Sequence, residues 1–367
     1  MDEATPTIAT SIREAKEYLD GIEGNVAVIS HRDPDGLSSM RIADSMLSHR
    51  NNRPKICKAV DYGELDDVYR ELLGVAEKEK IDYFVFLDLN IYDQFFMGPD
   101  YPLLRLQETS DIVIIDHHTR PAIVSPEDLG AFIINPFFFK DNAIVAGKYP
   151  ASMTTYNIAL ECDGKFKDEL DWIAAVGLAG DVGLTKASES GWESFVKGLR
   201  YPLSEIELIA QTIKLTRNYP LAQESIMTAR KPHDILKNDV LRKAKEEAED
   251  KIMKVVSEFE KAEKVEPGLR IYHSGDIDSM AVADALWSAH PEKTLLVYSN
   301  EGQRHRWSVR SGEIDAGQWI TNSFGKLAFS AGGHGPAGGA STKKENEKPC
   351  IESATNLYRI MIEQSKK

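Results

Sequence analysis

The chain has 367 residues, of which 42% are hydrophobic and 28% charged, a composition typical of a globular protein long enough for two domains. Its formal net charge of −14 argues against a protein that coats duplex nucleic acid, whereas a local basic groove for a short or single strand stays compatible with it. Three scattered cysteines without zinc-finger spacing, no signal-peptide pattern and no apolar run of membrane-spanning length predict a cytoplasmic protein.

Apolar strand segments alternate with amphipathic helices in the first part of the chain. Strands are predicted at Asn25–Ser30, Ile56–Val60, Tyr83–Leu87, Ile112–Ile115 and Ala131–Asn135. Helices are predicted at Thr7–Leu19, after Gly36, and at Leu65–Lys78, Leu103–Thr109, Ala151–Cys162 and Asp171–Leu178. This alternation implies right-handed crossovers and hence an α/β fold with a parallel, doubly wound sheet, assigned to residues 1–215.

A second, smaller α/β domain is predicted after a connector. The connector is assigned to residues 216–264, and most of it is one long charged helix over Asn238–Val265. Residues 265–367 form the second domain, which carries strands at Leu269–His273, Thr294–Ser299 and Arg306–Arg310, helices at Ser279–His290 and Ile351–Gln364, and a glycine-rich loop over 331–340. The connector helix is expected to bridge the two domains across a cleft.

Three of the predicted strands end in side chains that bind metals. The first strand runs into His31-Arg32-Asp33-Pro34-Asp35-Gly36, the third into Asp88, and the fourth into Asp116-His117-His118. Ligands of open parallel sheets bind at the carboxyl ends of the strands, so these side chains are expected to converge. Taken alone, Asp-Pro-Asp-Gly is equally typical of a surface turn.

Asp181 adds one more acid, at the end of a predicted helix. Glycines on either side predict a sharp turn that brings its carboxylate close to a ligand; a solvent-facing acid at a helix cap is the alternative. The candidate metal ligands are then His31, Asp33, Asp35, Asp88, Asp116, His117 and Asp181. Mixed carboxylate and imidazole ligation suits Mn²⁺. Two cations about 3.5–4 Å apart, sharing one carboxylate, activate water for in-line displacement at phosphorus, so phosphoryl hydrolysis is the predicted reaction class.

A second functional site is predicted in the C-terminal domain. Strand alternation puts Arg304, Arg306 and Arg310 on one face. Backbone amides exposed by the consecutive glycines of Gly332-Gly333-His334 favour anion binding, and the imidazole adds a donor for a phosphate oxygen. A flexible surface loop is the alternative for the glycine run alone. The neighbouring basic strand favours a phosphate-binding site.

These motifs together resemble the DHH phosphoesterase superfamily. The resemblance of the first domain rests on His31-x-Asp33-Pro34-Asp35-Gly36, Asp88, Asp116-His117-His118 and Gly180-Asp181. Gly332-Gly333-His334 with Ala337-Gly338-Gly339-Ala340 resembles the glycine-rich motif of the DHH-associated C-terminal domain. The resemblance covers both domains and points to compact RecJ-like exonucleases and nanoRNases.

The resemblance implies roles for individual residues. His31, Asp35 and Asp88 resemble the ligands of one metal, and Asp88, His117 and Asp181 those of a second, so that Asp88 bridges two Mn²⁺ ions, with Mg²⁺ or Co²⁺ as alternatives. Asp116 resembles the residue that orients the imidazoles or binds metal directly, and His118 the residue that contacts the scissile phosphate. Arg310 and the Gly332–His334 segment resemble the substrate-holding side of the cleft.

The resemblance also implies an activity. We expect a two-metal phosphodiesterase that hydrolyses single-stranded DNA or RNA from an end and favours short strands. Leu37 stands where nanoRNases and pyrophosphatases of the superfamily carry a second acid, and Asp33 can replace that acid, as in the RecJ-like branch. The alternatives are a nanoRNase, an adenosine bisphosphate phosphatase or a cyclic-dinucleotide phosphodiesterase. A non-catalytic replisome scaffold predicts eroded ligands, whereas all seven are present. A homodimer and a replication or repair partner stay open.

Overall fold

The structure is a computed structural model that describes residues 8–61, 64–91, 102–118, 130–136, 149–184, 191–216, 218–259 and 263–365. The chain divides into two compact units, Met1–Ala244 and Lys245–Lys367. This boundary falls inside the helix Asp239–Ser257, within the segment that the sequence assigns to the connector. No described helix combines the length and the apolar character that crossing a membrane requires.

The first unit is built on a five-stranded parallel sheet. Its strands are β1 (Asn25–His31), β2 (Ile56–Val60), β3 (Ile81–Leu87), β4 (Asp111–Ile115) and β5 (Phe132–Ile134), in the order β2-β1-β3-β4-β5. Alternate residues of β1 enter different cores: Val26 and Val28 pack on one face, and Ala27 and Ile29 on the other. The sheet is therefore buried on both faces, and the predicted α/β fold class is confirmed.

Ten helices are described in the first unit before the one at the boundary. They are α1 (Ile8–Asp20), α2 (Pro34–His49), α3 (Leu65–Glu79), α4 (Pro102–Gln107), α5 (Ala151–Cys162), α6 (Phe166–Asp181), α7 (Glu193–Lys197), α8 (Leu203–Leu215), α9 (Tyr219–Thr228) and α10 (Pro232–Leu236). The sequence did not predict α7 to α10. The helix at the boundary, α11 (Asp239–Ser257), ends eight residues before the predicted Val265, and Lys264 already pairs with Arg270 in a strand.

The second unit is built on a six-stranded mixed sheet. Its strands are β6 (Glu263–Lys264), β7 (Leu269–His273), β8 (Thr294–Glu301), β9 (Arg304–Arg310), β10 (Ala328–His334) and β11 (Ala337–Lys343), in the order β10-β11-β9-β8-β7-β6. Its helices are α12 (Ser279–Ala289), α13 (Ala316–Phe324) and α14 (Glu347–Ser365). Trp307 and Trp319 are almost fully buried in its separate core.

The predicted glycine-rich loop over 331–340 is wrong, because this segment forms the antiparallel pair β10 and β11 with only Gly335 and Pro336 between the strands. The glycines serve close packing. A Cβ atom on Gly338 would lie 2.8 Å from the carbonyl oxygen of Ala316, at the start of α13. Glycine runs favour loops in general, but here the absent side chains let a helix pack directly against a strand.

Candidate metal centre

The carboxyl ends of three adjacent strands form the base of the candidate metal centre. His31 is the last residue of β1, Asp88 follows β3, and Asp116 follows β4. The ladder continues one residue beyond the strands, because the Asp88 amide donates to Ile115 O (2.9 Å) and the Asp116 amide to Ile134 O (3.0 Å). These hydrogen bonds fix the backbone at the point where the side chains leave the sheet.

Asp33 and Asp35 lie at the start of a helix, and the alternative of a surface turn for Asp-Pro-Asp-Gly is not observed. Asp33 is the N-cap of α2, and its Oδ1 accepts a hydrogen bond from the Gly36 amide (2.9 Å). Pro34 occupies the first helical position, where its missing N–H costs nothing. A Cβ atom on Gly36 would collide with the His31 carbonyl, so a glycine is needed for the strand to enter the helix at this angle.

Asp35 is almost completely buried and is held by the N-terminus of α5. Its two carboxylate oxygens accept hydrogen bonds from the amides of Ala151 (2.8 Å) and Ser152 (3.0 Å). The positive end of the helix dipole favours a negative charge at this position. These contacts join residues more than 110 positions apart, and no sequence pattern predicted them.

Asp181 is the last residue of α6, where close packing of helices places it. Gly180 is helical and does not form the predicted sharp turn; only Gly183, with φ +83°, is left-handed. A Cβ atom on Gly180 would lie 2.6 Å from Pro34 Cβ, and one on Gly177 would lie 2.8 Å from Asp35 Oδ1. The two glycines therefore let α6 approach the start of α2 closely enough to bring Asp181 near the other acids.

All but one of the candidate ligands fall into sets that could each hold a cation. Within each set the ligand atoms lie within 4.8 Å of one another, and the sets are His31, Asp33 and Asp88; Asp35, His117 and Asp181; and Asp88, His117 and His118. Asp88 and His117 each belong to two sets. The grouping differs from the one that the resemblance implies, since Asp33 joins His31 and Asp88 while Asp35 joins His117 and Asp181.

The imidazole of His117 lies at the middle of the cluster. Its Nε2 lies 3.2 Å from Asp181 Oδ2, 3.3 Å from Asp88 Oδ1 and 3.8 Å from Asp35 Oδ2. On the other side of the cluster, His31 Nδ1 lies 3.2 Å from Asp33 Oδ2 and 3.7 Å from Asp88 Oδ2. Oδ2 of Asp88 thus faces the His31 imidazole, and Oδ1 faces those of His117 and, at 3.9 Å, His118.

The electrostatics of the cluster fit a divalent cation. Burial raises the pKa of Asp35 well above its ordinary value, and the Asp88 and Asp181 carboxylates raise it further. Burial lowers the pKa of His31 and His117, but the surrounding carboxylates outweigh it and raise both well above the ordinary value. The acids therefore repel one another and draw protons onto the imidazoles, and a bound cation relieves this repulsion directly.

Unsatisfied buried atoms lead to the same conclusion. Asp88 Oδ2 and His117 Nδ1 have no hydrogen-bond partner among the residues that the structure describes, although both atoms are buried. An unpaired buried carboxylate oxygen is costly unless it binds a cation. Asp88 also adopts a left-handed backbone with φ +57°, a conformation that costs a non-glycine residue on the order of 1–3 kcal/mol. Such strain is common where a side chain is held for a function.

His118 differs from its neighbour in exposure and partner. Its side chain is 34% exposed, whereas that of His117 is 8% exposed. His118 Nδ1 lies 2.7 Å from Oδ1 of the buried Asp116, and the His118 carbonyl accepts from Asn135 Nδ2 (2.9 Å). Asp116 therefore orients the His118 ring and favours the tautomer with the proton on Nδ1. Asn135, at the end of β5, is a supporting residue that the sequence did not indicate.

Arg32 supports the cluster from outside and was also missed. It lies between the two ligands His31 and Asp33, and its Nη2 lies 2.6 Å from Asp61 Oδ2. Its guanidinium also covers the ring of Tyr219 at 4.0 Å. These contacts tie the segment between β1 and α2 to the residue that follows β2 and to the start of α9.

The predicted substrate-binding residues all lie in the second unit. Arg304, Arg306 and Arg310 are at alternate positions of β9, and each has a partner within that unit. Arg304 covers the Phe329 ring at 4.1 Å, Arg306 Nη1 lies 4.0 Å from Asp278 Oδ2, and Arg310 Nε donates to Asp284 Oδ1 (2.6 Å). Gly332, Gly333 and the backbone of His334 belong to β10, while the His334 side chain lies outside the described part of the structure.

No model of a known protein family matches the sequence, and no curated protein matches it. Among solved structures, RecJ from Thermus thermophilus in complex with Mn²⁺ is 16% identical, with a TM-score of 0.67, over 95% of this chain and 54% of that one. An exonuclease RecJ bound to manganese is 17% identical, with a TM-score of 0.64, over 95% and 94% of the two chains.

A third structure, the DHH domain of a member of a family of ribosomal proteins, is 16% identical, with a TM-score of 0.69, over 96% and 91% of the two chains. This chain spans about half the length of the Thermus RecJ chain, which is 54% covered. At these identities the similarity concerns the fold, and it extends over both units. The chain therefore shares its fold with these two RecJ structures and with this DHH domain.

Proposed function

We propose that this chain is a two-metal phosphodiesterase that hydrolyses single-stranded DNA or RNA from an end and favours short strands. The observation that carries the proposal is the arrangement of the ligand sets, in which Asp88 and His117 are each shared between two sets. A shared carboxylate is what a pair of adjacent cations requires. The manganese bound in the RecJ structures of the same fold supports Mn²⁺ as the metal, with Mg²⁺ or Co²⁺ as alternatives.

The roles of the residues follow from their contacts. Asp88 is proposed as the bridging ligand, because it shares one set with His31 and Asp33 and contacts His117 on the other side. His117 in turn shares a set with Asp35 and Asp181, which are proposed to complete that side. Cations held there would activate water and stabilise charge at the reacting phosphoryl group. The amides of Ala151 and Ser152 keep the Asp35 carboxylate in one orientation, so little reorganisation is needed when the centre is loaded.

His118 is proposed as the residue that meets the scissile phosphate. Among the three imidazoles of the cluster its side chain is the most exposed, and its contact with Asp116 fixes the orientation of the ring. With the Nδ1 proton donated to the Asp116 carboxylate, Nε2 of the neutral ring can only accept a proton, whereas in the imidazolium it can donate to a phosphate oxygen or protonate a leaving oxygen. Burial lowers the pKa of His118, but the Asp116 carboxylate outweighs it and raises this pKa, which favours the imidazolium.

The proposal for the second unit is anion binding by backbone and arginine together. β10 is an edge strand, so alternate backbone groups of the Gly332-Gly333-His334 segment point away from the sheet. Arg310 is oriented by its hydrogen bond to Asp284, and Arg306 lies at the same face of β9. We propose that these groups bind a few substrate phosphates.

A single experiment tests the activity. Labelled single strands of 2, 5 and 20 nucleotides, which bracket the roughly 4–16 nucleotides of a single-strand site, are incubated with Mn²⁺, Mg²⁺ or Co²⁺ and compared with a blunt duplex. We expect stepwise products from one end, fastest with the short strands, and none from the duplex. If none of the strands is cleaved with any of the three metals, the proposed activity is refuted.

A second candidate is a hydrolase for small nucleotides, such as a nanoRNase, an adenosine bisphosphate phosphatase or a cyclic-dinucleotide phosphodiesterase. It is favoured by the scarcity of positive charge: the net charge is −14, and both Arg306 and Arg310 have an acidic neighbour. The same assay separates the two candidates. Turnover of dinucleotides, cyclic dinucleotides or adenosine bisphosphate without turnover of the 5- and 20-nucleotide strands would favour the small-nucleotide hydrolase.

A further inference from the structure

One aromatic side chain of the second unit is exposed in an unusual setting. Phe329 is 52% exposed, and it is the only aromatic residue among the exposed large hydrophobic side chains of the described residues. Two other large hydrophobic side chains of this unit are exposed, and both lie on helices: Met253 (64%) and, on the last helix, Ile360 (49%). The position of Phe329 in its strand explains how the ring comes to be exposed.

Phe329 lies at an irregularity of the edge strand β10. Ala328 pairs with Thr342 and Ser330 with Ser341, so Phe329 is the extra residue between two consecutive pairs. Such bulges redirect a side chain, and they persist where the new direction is useful. Here the ring is directed to the arginine-bearing face of β9, where the Arg304 guanidinium lies 4.1 Å from its centroid.

The surface beside the ring is almost free of side-chain bulk. Gly332 pairs with Gly339, and Gly339 pairs with Ser308 of β9, which lies on the same face as the arginines. A Cβ atom on Gly332 would meet no other atom within 4 Å. This combination suits an unpaired nucleotide, because every base offers a flat face that can stack on an exposed ring. The guanidinium holds the ring from its other side, and the glycine surface leaves room for the strand beside it.

Positive charge alone would not make this face a strong binding site for a nucleic acid. Arg306 and Lys343 each have an acidic neighbour, Asp278 at 4.0 Å and Glu345 at 3.6 Å. Binding there would therefore depend more on stacking than on counterion release, and it would be weakly sensitive to salt.

We propose that Phe329, held by Arg304, is a stacking platform for one nucleobase of a single-stranded substrate. The proposal rests on the proposed function for its ligand, an unpaired nucleotide, and adds a contact made to the base. It implies that the second unit distinguishes strands that carry bases from abasic strands of equal charge.

The test measures binding separately from turnover. Two fluorescent four-nucleotide strands, one with bases and one with abasic residues throughout, are titrated by anisotropy with Ca²⁺ in place of the metal that supports turnover. Wild type, Phe329→Ala, Phe329→Tyr and the matched exposed control Ile360→Ala are compared at two salt concentrations. Thermal melts of the four proteins confirm folding, which none of these surface changes should alter by much.

We expect Phe329→Ala to bind the normal strand on the order of 10-fold more weakly, with the same factor at both salt concentrations, while Phe329→Tyr and Ile360→Ala match wild type. The abasic strand should bind all four proteins equally. Equal binding of the normal strand by wild type and Phe329→Ala, or no binding by wild type, would overturn the platform. If Phe329→Ala shows normal metal-dependent turnover with an unchanged KM, the stacking platform is overturned and the proposed activity stands. A ring-dependent affinity without any hydrolysis would instead overturn the proposed activity.

Discussion

The two regions that carry the candidate functional residues differ in how their charges are balanced. Around the metal centre five carboxylates surround three imidazoles, and one carboxylate oxygen of Asp88 is buried without a hydrogen-bond donor in the described structure. On the arginine-bearing face of the second unit, Arg306 and Arg310 each have a carboxylate partner, and Arg304 covers the Phe329 ring. The first region has repelling carboxylates that an added cation would offset, whereas in the second most of the arginine charge is already offset before any ligand binds.

This difference teaches where ligand specificity can come from. A cluster of buried acids that repel one another binds any suitable cation strongly, so its selectivity depends on geometry. Arg306 and Arg310 contribute little by charge alone, because an incoming phosphate competes with Asp278 and Asp284. Under the proposals made above, selection by that face rests on backbone amides and on the Phe329 ring.

The largest expected effect comes from removing the shared ligand. Asp88→Asn should abolish turnover, because the variant keeps the shape of the side chain and loses the charge that serves both sides of the cluster. Calorimetric Mn²⁺ titration should show a reduced stoichiometry. The control is Asp44→Asn, a buried acid of the same unit that lies on α2 and pairs with Arg41 (3.5 Å). Unchanged metal stoichiometry and rate in Asp88→Asn would show that the bridging assignment is wrong.

The next largest effect should come from His118→Ala. Loss of a positioned acid or base typically reduces the rate by about 10²–10⁴, and the exposed imidazole is proposed to act on substrate. Metal stoichiometry should stay as in wild type. His49→Ala is the control, since this half-exposed imidazole pairs with Asp163 (3.2 Å) in the same unit. Loss of one metal equivalent in His118→Ala would instead assign the residue as a ligand, a role that its distances also permit.

A moderate effect is expected from Gly180→Ala. The added methyl group would lie 2.6 Å from Pro34 Cβ, so α6 must move away from the start of α2. We expect a loss of about 1–3 kcal/mol in the free energy of unfolding and weaker Mn²⁺ binding, measured by denaturant titration and calorimetry.

The matched control for this change is Gly74→Ala. Gly74 lies in the middle of α3, where an added methyl group meets nothing within 4 Å. It should raise stability by roughly 0.5–1 kcal/mol, because alanine is the better helix former. Equal stability changes in the two variants would mean that close packing at Gly180 does not set the geometry of the centre.

The smallest expected effect is the salt dependence of substrate binding. Each phosphate contact contributes a slope of about −0.7 in a plot of log affinity against log salt for single strands. The paired arginines predict only one or two such contacts. Arg310→Ala should remove about one of them and make the slope shallower by about 0.7. A steep slope that grows with strand length would indicate an extended backbone track and favour processive action on long strands.

Much of the metal centre could be predicted from the sequence, because its ligands follow directly on buried strands. His31, Asp88 and Asp116 are one residue or less from the end of a strand, and neighbouring parallel strands must end at the same edge. This inference needs only local patterns and the rule for parallel sheets.

What escaped prediction depends on contacts between distant residues. The hydrogen bonds from Ala151 and Ser152 to Asp35 cannot be inferred from either segment alone. The glycines were misread for a related reason, since Gly180 and Gly338 are needed for helix packing, whereas their local pattern indicates a turn or a loop. Domain limits, metal number and substrate stay predictions.

The left-handed backbone of Asp88 has a consequence for how such a protein can change in evolution. At φ +57° the residues that fit with least strain are glycine, asparagine and aspartate, so substitutions at this position are narrowly limited. Asparagine and glycine are both one nucleotide away from aspartate in the genetic code, and either would keep the fold while removing the shared charge. A lineage could therefore lose the chemistry in one mutational step and retain the scaffold intact.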